Sequence, residues 1–185
     1  MKKLLIILFL ISPIHTSQAL SLTDIVNWAK PLMPWYEAQP ELSFELTDTK
    51  GNIFTEKNTR GKYLVVNFWA TWCAPCKKEM IFLDEFHQKY YEEGFRVLAI
   101  STDSPKSMSK VKSYIRAKKH TFMVGLDPNQ EIAKKMNALV MPTVIILNKD
   151  RKVSWYHQGF IPGDEKEIEA QIRTVLELGQ EKVGE

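Results

Sequence analysis

Val65-Val66-Asn67-Phe68-Trp69-Ala70-Thr71-Trp72-Cys73-Ala74-Pro75-Cys76-Lys77-Lys78-Glu79-Met80 joins two different patterns. From Tyr63 to Trp69 the chain is apolar except at Asn67, as in a strand covered on both faces. From residue 75 to about 92 the spacing changes to steps of three and four, and Cys76, Glu79, Leu83, Phe86 and Tyr90 share one stripe of a predicted helix. The junction holds Cys73 and Cys76, the only two cysteines in the chain. Any thiol chemistry therefore belongs to this pair.

On the C-terminal side strands and helices alternate. A strand is predicted over 97–100. A helix then opens with Ser104 as cap and Pro105 at its first position, burying Met108, Val111 and Ile115. A short strand follows at 122–124, and Asp127, Pro128 and Gln130 start another helix that runs to about 136. Thr143–Leu147 is strongly β-prone, Asn148-Lys149-Asp150-Arg151 is a polar turn, and 153–159 is the antiparallel partner. Asp164 and Glu167 resemble a capping box for a closing helix whose inner side is Ile168, Ile172 and Val175. On the N-terminal side, 42–46 and 53–54 flank Thr49-Lys50-Gly51-Asn52 as a small hairpin. The order predicts an α/β fold: a mixed central sheet with helices on both faces and an N-terminal hairpin.

The first residues read as a leader. Lys2 and Lys3 precede an apolar run over 4–14, and Ser17-Gln18-Ala19 is a small-x-small cleavage site. A retained anchor is the competing reading, but a spanning helix needs roughly 20 apolar residues, and this run is shorter and interrupted by Pro13. The expected organisation is a cleaved signal peptide (1–19), an arm with a short helix (20–40), one domain (41–178) and a tail (179–185). Removing 1–19 from 185 residues leaves 166, of which 23 are basic and 22 acidic. That balance gives no reason to expect nucleic acid, and no stable membrane insertion is expected after cleavage. Export matters because disulfides persist in oxidising compartments.

A strand running into a helix sets Cys73 at the helix N-terminus, where unpaired N–H groups and the helix dipole favour a thiolate. Cys76, one turn inside on the core-facing stripe, is expected to be less exposed. The pair is then asymmetric: Cys73 attacks a partner disulfide, and Cys76 resolves the mixed disulfide by attacking Cys73. Pro75 limits the freedom of the intervening loop. Other uses of the spacing fit less well. A zinc site lacks a second pair, and His87, His120 and His157 are scattered. Haem attachment needs a histidine where Lys77 stands. A purely structural disulfide would close too short a loop to stabilise much. Neither a metal nor another cofactor is expected.

Together with residues 44–61, Gly125-Leu126-Asp127-Pro128 and Val140-Met141-Pro142-Thr143, the opening stretch resembles the thioredoxin superfamily in its exported TlpA/ResA/DsbE-like branch. The resemblance covers residues 41–178 and implies a thioredoxin-like fold. It implies that Cys73 is the nucleophile and Cys76 the resolving thiol. It also implies a cis bond at Pro142 facing the cysteines, which leaves the Met141 backbone free to pair with an extended substrate segment. The inward stripe already predicts a desolvated Glu79 with a raised pKa, and the resemblance adds proton exchange with Cys76. An exposed glutamate or a salt bridge to a nearby lysine is the competing reading of Glu79.

Three positions depart from the family pattern. Asn67 stands where cytosolic thioredoxins carry a buried aspartate. Ile81 replaces a helix-kinking proline, which predicts a straighter helix. Thr143 follows Pro142 where cytochrome-c-maturation members carry glutamate, which argues against that pathway. Trp69 reads as core, and Trp72 as an exposed ring that contacts a partner. Lys106, Lys110, Lys112, Arg116, Lys118 and Lys119 form a run without an intervening acid. It reads as a solvated helix face, with docking of an acidic partner as the alternative. Trp28, Trp35 and Tyr36 in the arm carry no assignment.

The reading is a thiol-disulfide oxidoreductase, periplasmic or otherwise extracytoplasmic, that acts on proteins with disulfides or thiols through its W-C-A-P-C site. The resemblance implies a reductant supplied by a membrane thiol donor of the DsbD/CcdA type. A thiol oxidant forming disulfides in exported proteins is the alternative in the same class. A non-catalytic binding or chaperone module is the alternative outside it. A peroxidase would need threonine three residues before the reactive cysteine, where Ala70 stands.

Overall fold

Seven strands and four α-helices are found in residues 44–59 and 62–178, the parts of the chain described by the structure, a computed structural model. The expected leader (1–19), arm (20–40) and tail (179–185) lie outside the described residues. Strands β1 (Glu45–Asp48) and β2 (Ile53–Thr55) form the predicted hairpin, with Leu46 opposite Phe54. The Asp48 carboxylate closes its turn by accepting the Lys50 and Asn52 N–H groups. Then follow β3 (Tyr63–Trp69), α1 (Ala74–Lys89), β4 (Phe95–Ser101), α2 (Met108–Lys118) and β5 (Met123–Leu126). The chain ends in α3 (Glu131–Lys135), β6 (Thr143–Leu147), β7 (Val153–Gln158) and α4 (Asp164–Val175).

The sheet order is β2-β1-β5-β4-β3-β6-β7. β3, β4 and β5 are parallel, while β6 pairs antiparallel with both β3 and β7, so the sheet is mixed as predicted. β3 has a strand on each side and a packed layer above and below, which accounts for its apolar run. Successive crossovers of the usual hand that step the same way along a sheet carry their helices to one face. Accordingly α1 and α2 lie on one face, and with the closing helix α4 they bury Met80, Leu83, Val111, Ile168 and Ile172 with Val65, Val97 and Ile146. The opposite face packs Phe44, Phe54, Ala133 and Met136 on Leu64, Val66, Phe68 and Leu98. Each fully buried side chain of this size contributes about 2 kcal/mol. Among the described residues, no helix is long and apolar enough to cross a membrane.

Four local expectations are corrected. The first helix stops at Lys89 instead of reaching 92, because Gly94 (φ 80°) turns the chain and the Phe95 N–H bonds the Tyr90 carbonyl. Ser104 makes no side-chain cap: Pro105–Ser107 is a 3₁₀ turn, and α2 begins at Met108 with only Val111 fully buried. The strand read at 122–124 lies at Met123–Leu126, because its far end pairs with β1, Asp48 facing Gly125. Glycine leaves room there, since a Cβ at residue 125 would lie 2.9 Å from Leu46 Cδ1 and force the buried Leu46 side chain to shift. The box read at Asp164 and Glu167 does not form. Gly163 is the cap and Asp164 the first helical residue, its carboxylate accepting the Ile161 N–H at 2.9 Å.

Candidate active site

At the end of β3 the Trp69 carbonyl accepts the Thr102 N–H at 2.9 Å, and the Ala70 carbonyl accepts the Cys73 N–H at 3.1 Å, which turns the chain into α1. Cys73 is the helix N-cap (φ −85°, ψ 104°), and its Sγ accepts the Cys76 N–H at 3.2 Å. This sulfur therefore sits on the unpaired donors of the helix end, where negative charge is favoured. Pro75 occupies the first turn, where its missing N–H costs nothing. Cys73 and Cys76 are joined in a disulfide with their Cα atoms 5.4 Å apart. Cys73 is 4% exposed and Cys76 0%, a difference in the expected direction but a small one. Trp69 is fully buried, whereas Trp72, next to Cys73, is 73% exposed.

One turn after Cys76, Glu79 is fully buried within the continuous helix α1, in which Ile81 is exposed. Asn67 is also fully buried and lies on β3 between Ala99 of β4 and Val144 of β6. Its Nδ2 donates to Glu79 Oε2. Among the described residues, the other Glu79 oxygen and Asn67 Oδ1 have no hydrogen-bond partner. Burial pushes the Glu79 pKa up to about 8; the Asn67 bond opposes this, and the negative charge of Asp164 adds to it. At neutral pH the carboxyl holds its proton.

The loop between β3 and α1 is tied down from β4. Asp103 accepts the Thr71 N–H at 2.8 Å, the Thr71 hydroxyl at 2.6 Å and the Ser101 hydroxyl at 3.0 Å. On the other flank the Met141-Pro142 peptide is cis. Thr143 pairs with Phe68, so this bond falls at the end of the sheet from which Cys73 departs. The Pro142 carbonyl accepts the Gly159 N–H at 2.8 Å. Met141 makes no backbone hydrogen bond among the described residues, and its sulfur receives the Thr102 hydroxyl at 3.9 Å.

The redoxin family profile matches residues 37–172. The chain belongs to the redoxin family. It is 35% identical over 111 residues to the thiol-disulfide oxidoreductase ResA of Bacillus thuringiensis, covering 60% of this chain and 63% of that protein. Over 132 residues it is 29% identical to ResA of Geobacillus kaustophilus, covering 71% and 74%. The chain thus spans less than two thirds of the Bacillus relative. A crystal structure from Chlorobium tepidum, assigned as a thiol:disulfide interchange protein DsbE, matches with a TM-score of 0.69 at 26% identity, covering 74% of this chain and 94% of that one. This redoxin chain is therefore a thioredoxin-superfamily member of the TlpA/ResA/DsbE-like branch.

In this redoxin chain Trp72, Cys73, Pro75, Cys76 and Glu79 gather at one end of α1, and the sheet register brings Met141-Pro142 to the same end. Three further residues take part: Asn67, Asp103 and Thr71. In the sequence Asn67 stands only where an acid is missing, yet in the structure it is the partner of Glu79. Two polar residues buried in apolar surroundings normally find each other, so the lone polar position of β3 and the lone acid of the α1 stripe were the available signal. Asp103 and Thr71 were not singled out. Their signal was the polar run Ser101-Thr102-Asp103 at the end of a strand parallel to β3. The histidines do not converge: His87 Nδ1 accepts the Val97 N–H, His120 lies 3.7 Å from Asp84, and His157 lies 3.3 Å from Asp164.

Proposed function

We propose that the chain is an extracytoplasmic thiol-disulfide oxidoreductase that reduces disulfides in partner proteins. The observation that carries this reading is the Cys73–Cys76 disulfide at the first turn of α1 with an ionisable, buried Glu79 one turn below it. In the reduced protein the Cys73 thiolate attacks a partner disulfide. The partner S–S bond breaks, one partner thiolate leaves, and a mixed disulfide forms. Cys76 then loses its proton to the ionised form of Glu79, a minority at neutral pH, and attacks the Cys73 sulfur, which expels the second partner thiolate and closes the Cys73–Cys76 bond. Two electrons pass to the partner. A carboxyl whose pKa burial lifts to about 8 lies close enough to neutral pH to take up and return a proton during the cycle.

Trp72 offers a flat apolar ring beside the nucleophile, and the Met141 backbone, unpaired among the described residues, lies next to Pro142 and suits an extended partner segment. A new cycle needs two electrons from a membrane thiol donor of the DsbD/CcdA type. Export is supported by the basic start, the apolar run over 4–14 and Ser17-Gln18-Ala19. On this reading residues 1–19 are removed, 20–40 form an arm, 41–178 the domain and 179–185 a tail.

The test joins the reduction potential of the couple to trapping of partners by Cys76→Ala, which leaves mixed disulfides on Cys73 unresolved. A reducing potential and partners trapped through Cys73 are expected. A potential near the roughly −120 mV of a strong oxidant overturns the direction. Activity that survives Cys73→Ser overturns the enzyme.

A further inference from the structure

Thr71, Trp72, Lys77, Ser107, Lys110 and Tyr114 enclose an open groove of about 350 Å³ beside the cysteine pair. We propose that this groove binds an acidic stretch of the polypeptide whose disulfide Cys73 attacks. The proposal rests on the oxidoreductase reading and adds to it a preference for Asp or Glu beside the target cysteine.

Two of the lining residues, Thr71 and Trp72, immediately precede Cys73, and a third, Lys77, immediately follows Cys76, so an occupant of the groove lies next to the cysteine pair. Its charge comes from two separate elements, Lys77 of α1 and Lys110 of α2. The Lys77 ammonium lies 5.4 Å from the centre of the Tyr114 ring, which holds it at the groove wall. Neither lysine is ion-paired with a carboxylate among the described residues. The acid that supports the wall, Asp103, is 1% exposed and accepts from Thr71 and Ser101, so it forms no ion pair with Lys77 or Lys110 and is not presented to an occupant of the groove. Ser107 and Tyr114 add hydroxyl donors, and Trp72 provides a broad apolar wall.

The basic run of α2 alone would be a solvated face, and most of it is. Lys106, Lys112, Arg116, Lys118 and Lys119 are exposed and do not line the groove. Lys110 is the one member that meets a second lysine from another helix across an open cleft. That convergence selects an anionic occupant, and the adjoining sulfur selects one that carries a disulfide.

The experiment uses the dithiothreitol-reduced full chain in single-turnover reactions with three disulfide peptides, identical except for Glu-Glu, Gln-Gln or Lys-Lys beside the cysteine. The expected second-order rate is about tenfold higher for the Glu-Glu than for the Gln-Gln peptide, from two modest ion pairs. This advantage shrinks in high salt. In Lys77→Glu/Lys110→Glu the order inverts and the Lys-Lys peptide reacts fastest. Lys112→Glu, an equal charge change outside the groove, keeps the wild-type ratio. Because each result is a ratio within one variant, changes in thiol reactivity cancel. A wild-type ratio within twofold of one overturns the proposal, as does an unaltered ratio in the double variant or an equal loss in Lys112→Glu. Failure to reduce even the Gln-Gln peptide overturns the oxidoreductase reading, and the groove assignment falls with it.

Discussion

Asp103 and Glu79 are both buried carboxylates, 1% and 0% exposed, yet they are built for opposite ends. Asp103 accepts three hydrogen bonds, two from Thr71 and one from Ser101. Those donors replace the water it lost, and its charge is spent on fixing the loop that presents Trp72 and Cys73. Among the described residues, Glu79 accepts one side-chain bond, from Asn67, and its second oxygen has none. Its charged form is left under-solvated, and the group becomes a proton carrier. Burial does not separate an anchor from an acid; the number of donors does.

The largest effect should come from removing the anchor. Asp103→Ala leaves the Thr71 N–H and two hydroxyls without their acceptor, and we expect a loss of about 4 kcal/mol in urea unfolding. The loop would also loosen around Cys73, so exchange with a peptide disulfide should slow even under conditions where the variant is folded. A loss under 1 kcal/mol would mean that the loop is held by other contacts and that the contrast with Glu79 is false.

Removing the acid should act in the opposite direction. In the oxidised protein, Glu79 keeps its proton up to about 8, while the unfolded chain releases it near 4.5. The native state binds the extra proton, so stability falls as pH rises through that window, by up to about 1.4 kcal/mol per unit. Glu79→Gln abolishes the dependence. It should match the wild type near pH 4 and exceed it by on the order of 3 kcal/mol at pH 7, with no further gain above pH 8. Unfolding of both proteins across pH 4–9 measures this. In the exchange reaction the variant should also lose the rise in rate through pH 8, and an unchanged profile would remove Glu79 from the mechanism.

What could be read in advance was what depends on local period. The bounds of β3 and β6, the inward stripe from Cys76 to Tyr90 and the placing of Cys73 at a helix start all follow from spacing within one element. What could not be read depends on which elements lie side by side. Asp103 reaches Thr71 only because β3 and β4 run parallel with Trp69 opposite Ser101. β5 extends to Leu126 only because β1 pairs with its far end. The caps at Ser104 and Asp164 failed for a related reason: the residue type suits a cap, but neighbouring Pro105 and Gly163 set the backbone and shifted the helix starts. Asn67 was visible as an oddity in an apolar strand, and only the packing of α1 on β3 turned it into a partner.

The smallest effect tests that partnership. Asn67 donates to the carboxylate of Glu79, a bond that favours the charged form and holds the pKa below the value burial alone would set. Asn67→Val removes the donor with little change in bulk. The ionised acid then has no side-chain donor, and the inflection near 8 in the exchange rate should move up by about one unit. Near neutral pH the variant should be slower, because less Glu79 is ionised to accept the Cys76 proton, and it should recover at high pH. The same substitution in a Glu79→Gln background should leave the pH profile unmoved. If it shifts there as well, the inflection belongs to another group, and Asn67 merely fills space in β3. If the single variant moves the inflection downward, the amide was favouring the protonated acid, and the bond from Asn67 does not hold the pKa down.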